Sequence, residues 1–450
     1  MMSEIEIKPF QKPCNGSVLV PGSKSISNRA LLLSCFNRST TTHLRGILKS
    51  EDVEIMIKAL RSLGINITED WSQNYLQVEA CGGVSPVKNQ NIKVGNAGTV
   101  ARFLTAWLAV QEDASFVIDG SAEMRKRPIG PLLESFIEAG VVVDYTGDQG
   151  FFPIKIETQK CTKTDWQVDA SQSSQMLSAL MMISPLISLS SKISFLKGTV
   201  SRPFLEITRK MIQDFSGDQS FQCNLREKEI NIRTKYSRAG RFDYEIEPDA
   251  TAASYFLTLP QIVGGKCELI GIHEKMLQGD AGFQNILKQM GADINKGERG
   301  ISSRNEKQKA LSGGIFDFND ISDTFLTLAA VSPLLSEKIS IKGIAHTRVQ
   351  ECDRVHAMAT ELKKMGQGIE QTEDSLLISP DLEKLKILAK KGISVDTYND
   401  HRVAMSFAIL GSYNLLGEGQ PWLKINNPMC CGKTFPAFFD KLEELGRNSY

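Results

Sequence analysis

SFIEAGVVVDY, residues 135–145, changes character at its middle: the apolar spacing is helical before Gly140 and extended after it. Glycine just beyond a helix adopts the left-handed conformation that satisfies the last carbonyls, so the segment reads as a helix stop feeding a strand. The same grammar recurs in ALRSLGINI at Gly64, MIQDFSGDQSF at Gly217, ILKQMGADI at Gly291, ELKKMGQGI at Gly366 and KLEELGRNS at Gly446. Successive glycines are 76, 77, 74, 75 and 80 residues apart. So regular a spacing predicts six copies of one α/β unit. A unit of that length holds two helices and three or four strands, too much for one rung of a solenoid. Six units therefore fit two domains of three each, with the seam near SRAGRFDYEIEPDATAAS (237–254). No Pro/Ser-rich linker separates the halves, so two closely spaced chain crossings are expected rather than a tether.

Composition narrows the function. The 450 residues exceed one ordinary core, and 52 basic residues balance 52 acidic ones. That balance argues against a nucleic-acid surface, and any basic cluster must be local. No apolar run approaches a membrane span, and MMSEIEIKPF lacks the apolar heart of a signal peptide. The nine cysteines form no Cys-x-x-Cys pair, and the adjacent Cys430 and Cys431 suit neither zinc nor an ordinary disulfide. Buried thiols in a reducing cytosol are the expectation, and a metalloenzyme is not.

The chemistry concentrates at helix starts. VPGSKSISNRA (20–30) leaves an extended run through Pro21-Gly22 and enters a helix near Ser25, bringing Lys24 and Arg29 to its first turns. Free N–H groups and the positive dipole end make such a start an anion site, to which serine hydroxyls and cations add. A serine-capped helix with solvated cations is the plainer alternative, and a nucleotide P-loop is a poor match. VGNAGTVARFLTAWLAV (94–110) repeats the pattern with Gly95, Gly98, Thr99 and Arg102. Arg125, Lys126 and Arg127 precede a Pro-started helix, and Ser173, Ser174 and Gln175 open another. In the second half Asp323 begins an apolar helix, where capping is its plain role. Glu351, Asp353 and Arg354, then Asp400, His401 and Arg402, then Lys433, mark further helix starts. Such a set suits a substrate bearing phosphate and carboxylate groups.

PGSKSISNRA, GNAGT, RKRPI, SSQMLSALMM, ISDTFLTLA, ECDRVHAMATEL, NDHRVAMSF and GKTFPAFF follow one another in this order over nearly the whole chain. The set closely resembles the 5-enolpyruvylshikimate-3-phosphate synthase family of enolpyruvyl transferases. The resemblance implies an α/β (α+β) fold of two domains, each with three βαβαββ repeats, helices inside and sheets outside, and an active-site cleft between them. Residues 21–245 would form one domain, and 1–20 with 246–450 the other. It implies transfer of the enolpyruvyl group of phosphoenolpyruvate to the 5-hydroxyl of shikimate 3-phosphate, releasing phosphate, in the route to chorismate and aromatic amino acids. No metal or organic cofactor is implied; the partners are the two small substrates, with no nucleic acid and no membrane. A cytoplasmic monomer is expected.

By position, the resemblance makes Lys24, Ser25, Arg29, Ser173, Ser174, Gln175, Ser201, Asp323, His346 and Gln350 the shikimate 3-phosphate ligands. Lys24, Asn96, Gly98, Arg127, Gln175, Arg354, Arg402 and Lys433 would hold phosphoenolpyruvate, with Arg102 close by. Asp323 would take the 5-hydroxyl proton, Glu351 would donate one, and Lys24 would assist. The chain departs from the family pattern at Gln350, where lysine is usual, at His346 for asparagine, at Phe103 for proline and at Phe204 for tyrosine. Glutamine carries no charge, so a weakened or altered homologue binding phosphorylated polyols is the alternative. The related UDP-N-acetylglucosamine enolpyruvyl transferases fit less well, because no cysteine lies between Cys81 and Cys161.

Overall fold

The computed structural model describes residues 3–171, 173–195, 199 and 201–447. The chain divides into two compact units, Gly22–Glu247 and Met1–Pro21 with Pro248–Tyr450.

Among the described residues, five sheets have four strands and one has three. The sheet holding SFIEAGVVVDY shows the common plan. Asn89–Lys93 runs parallel to Ala114–Asp119, which is antiparallel to Ile154–Thr158, which is antiparallel to Val142–Tyr145. Helices Gly98–Ala109 and Gly130–Ile137 follow the first two strands, giving βαβαββ. The same order recurs in Asp165–Gln167, Ser190–Ser194, Glu229–Arg233 and Gln222–Leu225, and in Gly314–Asp317, Ile339–Lys342, Ser375–Ser379 and Gly368–Gln371. In two sheets the first strand comes from elsewhere in the chain. Ala239–Glu245 runs parallel to Ser39–Arg45, and Cys14–Val18 runs parallel to Gly265–Ile270. Each borrowed strand leads directly into a crossing between units. The three-stranded sheet pairs Ile393–Val395 in parallel with Leu423–Asn426, and Glu4–Glu6 completes it antiparallel.

The periodic glycines explain the helix-to-strand turns. Gly64, Gly140, Gly217, Gly291 and Gly366 have φ of +88, +90, +65, +95 and +81°, and each stands between an outer helix and a strand. Gly446 departs from the expectation: helix Phe438–Arg447 runs through it, and the segment beyond lies outside the described residues.

The helix starts singled out above belong mainly to the inner helices. Gly98–Ala109 and His401–Gly411 are buried at every position, as is Phe325–Val331. A helix apolar all round must be covered on all sides. Here each helix lies among the helices and sheets of its own unit, and side chains at its N-terminus are held by dense packing. Four of the nine cysteines are buried and five are half-buried, and all are unpaired. Among the described residues, no helix is long and apolar enough to cross a membrane.

Candidate active site

In the unit 22–247, helix Lys24–Ser34 starts after Ser23, whose side chain makes no capping bond. Its first N–H groups thus keep no local side-chain acceptor at the cap. Lys24 Nζ stands 3.4 Å from the buried Asp52 carboxylate. Arg29 is turned inward: Nε donates to Thr208 Oγ1 at 2.8 Å, Nη2 to Ser178 Oγ at 3.0 Å and Nη1 to the Ser25 carbonyl at 2.9 Å. Its guanidinium also lies over Phe103 (5.0 Å) and Phe204 (5.7 Å), two of the positions where the chain departs from the family pattern. Burial pulls its pKa down to about 9. Cation–π contact and three acceptors keep that charge tolerable in an apolar setting.

Gly98 and Arg127 form a second cradle. A Cβ on Gly98 would stand 2.6 Å from Arg127 Nη2, so only glycine lets the guanidinium lie against this helix start. Arg127 is buried, and among the described residues its Nε and Nη1 have no hydrogen-bond partner. Arg102 on the same helix is directed to the Pro128 carbonyl at 2.7 Å. Asn96 lies in the preceding turn, after Gly95 at φ +52°. Arg125 and Lys126 are exposed, and Arg125 pairs with Asp119 at 2.8 Å. Only Arg127 of that basic run is buried.

Ser173 caps helix Ser174–Ile187, accepting from Gln175 N at 3.3 Å. Ser174 is buried and Gln175 half-buried. Ser201, just before helix Pro203–Ser216, has φ +53°, a conformation a non-glycine residue adopts at a cost of about 1–3 kcal/mol and often at functional sites.

In the other unit one guanidinium gathers the titrating groups. Arg354 Nε donates to Asp400 Oδ2 at 2.7 Å, Nη1 to Asp323 Oδ1 at 2.8 Å and Nη2 to Glu351 Oε2 at 2.9 Å. Nη1 also donates to Gln350 Oε1. Arg402 Nη2 meets Asp323 Oδ2 at 2.8 Å, and Lys433 Nζ meets Glu351 Oε1 at 3.0 Å. Three cations and three carboxylates thus share one network. Asp400 is its anchor, fully buried and accepting from Arg402 N at 2.8 Å as cap of His401–Gly411. Arg354 is itself 2% exposed, and the three carboxylates hold its pKa well above the usual range despite burial. Asp323 does not cap its helix; it sits in a 3-10 turn, Ser322–Thr324, and serves two arginines. Asp353 does cap, accepting from His356 N at 2.9 Å. His346 Nε2 contacts Ser322 Oγ at 2.8 Å, beside the Asp323 turn. Burial lowers the His346 pKa, because an apolar setting disfavours the charged ring.

Sequence reasoning missed the carboxylates Asp52 and Asp400 as partners of Lys24 and Arg354. An aspartate at a helix start has a sufficient local explanation, and nothing in the string separates a cap from an ion-pair anchor. It also missed Ser178 and Thr208, which read as inner-helix residues.

A family model described as "EPSP synthase (3-phosphoshikimate 1-carboxyvinyltransferase)" matches residues 9–442. The 3-phosphoshikimate 1-carboxyvinyltransferase of Opitutus terrae is 41% identical over 456 residues, spanning 99% of this chain and 98% of that protein. That of Vibrio vulnificus is 35% identical over 445 residues, spanning 99% of each. An EPSP synthase structure from Acinetobacter baumannii superposes with a TM-score of 0.77 at 23% identity, covering 100% of this chain and 98% of that one.

Proposed function

The chain belongs to the EPSP synthase family, and from that premise we propose how its residues divide the work. It transfers the enolpyruvyl group of phosphoenolpyruvate to the 5-hydroxyl of shikimate 3-phosphate and releases phosphate. Lys24, Ser25, Arg29, Ser173, Ser174, Gln175 and Ser201 hold shikimate 3-phosphate, with Asp323, His346 and Gln350. Lys24, Asn96, Gly98, Arg127, Gln175, Arg354, Arg402 and Lys433 hold phosphoenolpyruvate. The protein works as a cytoplasmic monomer.

Asp323 takes the 5-hydroxyl proton as that oxygen bonds to C2, while Glu351 delivers a proton to C3. Loss of a C3 proton with cleavage of the C2–phosphate oxygen bond then restores the enol ether. The groups needed are positioned acids, bases and cations, and the network around Arg354 supplies them. Arg354 and Lys433 are engaged by Glu351 at 2.9 and 3.0 Å, so an incoming anion must compete for both.

The observation that carries this reading is one guanidinium in hydrogen-bond contact with both Asp323 and Glu351. The alternative of a weakened homologue finds no support in the comparisons, and Gln350 has a role of its own as acceptor for Arg354. Phosphate release by the full chain is the test. Release only with both substrates present supports the assignment, whereas release from phosphoenolpyruvate without shikimate 3-phosphate counts against it.

A further inference from the structure

Glu361 is a fully buried carboxylate for which the reaction described above has no use. It lies on helix Arg354–Lys364, about two turns beyond Arg354. It faces the segment between strand Ile393–Val395 and helix His401–Gly411. Tyr398 Oη donates to Glu361 Oε1 at 2.7 Å, and Asp396 N donates to Oε2 at 3.3 Å. Lys364 Nζ bridges Glu361 at 2.9 Å and Asp396 at 2.7 Å. Two asparagines hold the same segment: Asn426 Nδ2 donates to Asp396 at 2.8 Å, and Asn427 Nδ2 to Asn399 Oδ1 at 2.6 Å.

This bracing holds an unfavourable backbone. Tyr398 and Asn399 are consecutive left-handed residues, with φ of +54 and +56°. Asparagine tolerates that region, whereas a bulky aromatic residue avoids it. Such a conformation persists only where its surroundings over-determine it. Here it reverses the chain, and Asp400 N donates to the Thr397 carbonyl at 2.8 Å. The Asp400 side chain is thereby left to cap Arg402 N and to accept from Arg354 Nε. The starts of the two helices are tied twice, through Arg354 and Asp400 in the interior and through Glu361 and the partly exposed Tyr398. With the second tie lost, Tyr398 relaxes toward an ordinary backbone conformation, and Asp400 turns together with the helix start that bears Arg402.

We propose that Tyr398 is a positioning residue: its hydroxyl bond to Glu361 holds the left-handed pair and, through Asp400, sets Arg402 for phosphoenolpyruvate. The inference rests on the assignment of Arg402 to that substrate. Tyr398 acts through Asp400 rather than on a substrate. In Tyr398→Phe the Glu361 carboxylate keeps Lys364 and Asp396 N as partners, so no charge is stranded in the interior and the variant folds.

Tyr398→Phe removes one oxygen and keeps the ring. Steady-state phosphate release by the full chain gives KM for each substrate with the other saturating. KM for phosphoenolpyruvate should rise about fivefold, with kcat and KM for shikimate 3-phosphate within about twofold of the parent. A general loss of folding stability would not single out one substrate. Hydrogen exchange of the ligand-free proteins, followed by mass spectrometry over residues 396–404, is the second readout. The Asp400 and Arg402 amides should exchange at least about threefold faster in the variant, with helix Arg354–Lys364 unchanged. Unchanged exchange overturns the proposal whatever KM does. An equal rise in KM for both substrates overturns it as well. Faster exchange with KM for phosphoenolpyruvate within about twofold of the parent overturns it through its premise, and removes Arg402 from the phosphoenolpyruvate site.

Discussion

Asp323→Asn should separate two roles that one carboxylate combines. In the proposed mechanism the carboxylate is the proton acceptor, and in the structure it is the counter-ion of Arg354 and Arg402, each at 2.8 Å. An amide cannot take up the 5-hydroxyl proton, so kcat should fall by about 10²–10⁴, the usual share of general base catalysis. Its second role predicts the opposite sign for binding. Two unit charges about 6 Å apart interact by about 3 kcal/mol at an effective dielectric of about 20, and the partial exposure of Asp323 reduces this to about 1–2 kcal/mol. Removing the negative charge should therefore tighten phosphoenolpyruvate binding by about 5- to 30-fold. Folding should suffer by about 1–3 kcal/mol, because the amide offers one oxygen where the carboxylate accepted two charge-assisted bonds. Steady-state phosphate release gives kcat, and calorimetric titration with phosphoenolpyruvate in the presence of shikimate 3-phosphate gives affinity. A kcat within tenfold of the parent would refute Asp323 as the base. Unchanged or weaker affinity would refute the idea that it restrains the two arginines.

Gly98→Ala should raise KM for phosphoenolpyruvate at least tenfold with the fold retained, because the new methyl displaces Arg127; steady-state kinetics with circular dichroism checks this, and an unchanged KM counts against the cradle. Gln350→Lys adds a cation to a network of three cations and three carboxylates and should lower KM for phosphoenolpyruvate by about three- to tenfold at low salt. The gain should shrink in 0.5 M salt as screening sets in, and a higher KM at low salt would contradict it. Phe204→Ala strips one ring from Arg29 and opens space beside it, so the unfolding midpoint in urea should fall by an amount equivalent to about 2–4 kcal/mol; a loss under about 0.5 kcal/mol would show that the ring does not support Arg29.

How much of this the chain announces depends on how local each cause is. The repeat is legible because a glycine with positive φ leaves a mark in the string, and five of the six spaced glycines have that conformation. Gly446 looks the same in sequence but lies inside its helix, since a single helix-Gly junction does not by itself specify that the helix ends there. The borrowed strands Ala239–Glu245 and Cys14–Val18 could not be read, because their pairing is set by partners far away in the chain. The cations at helix starts stand out by residue type, as do Asp323 and Glu351 once the motifs are aligned. Their anchors do not. Asp400 looks like a cap, and it is one, yet its second oxygen organises Arg354. Phe103 and Phe204 stand in the sequence as departures from the family pattern, and the structure gives them a packing role on Arg29.

Deuterium incorporation at C3 tests the acid role of Glu351 most directly. The reaction is run in D2O, and the enolpyruvyl methylene of the product and of recovered phosphoenolpyruvate is followed by NMR. The parent should place deuterium at that carbon as turnover proceeds, and Glu351→Gln should slow incorporation by at least about a hundredfold. Incorporation by Glu351→Gln at the parental rate would contradict the assignment of this carboxyl as the proton donor.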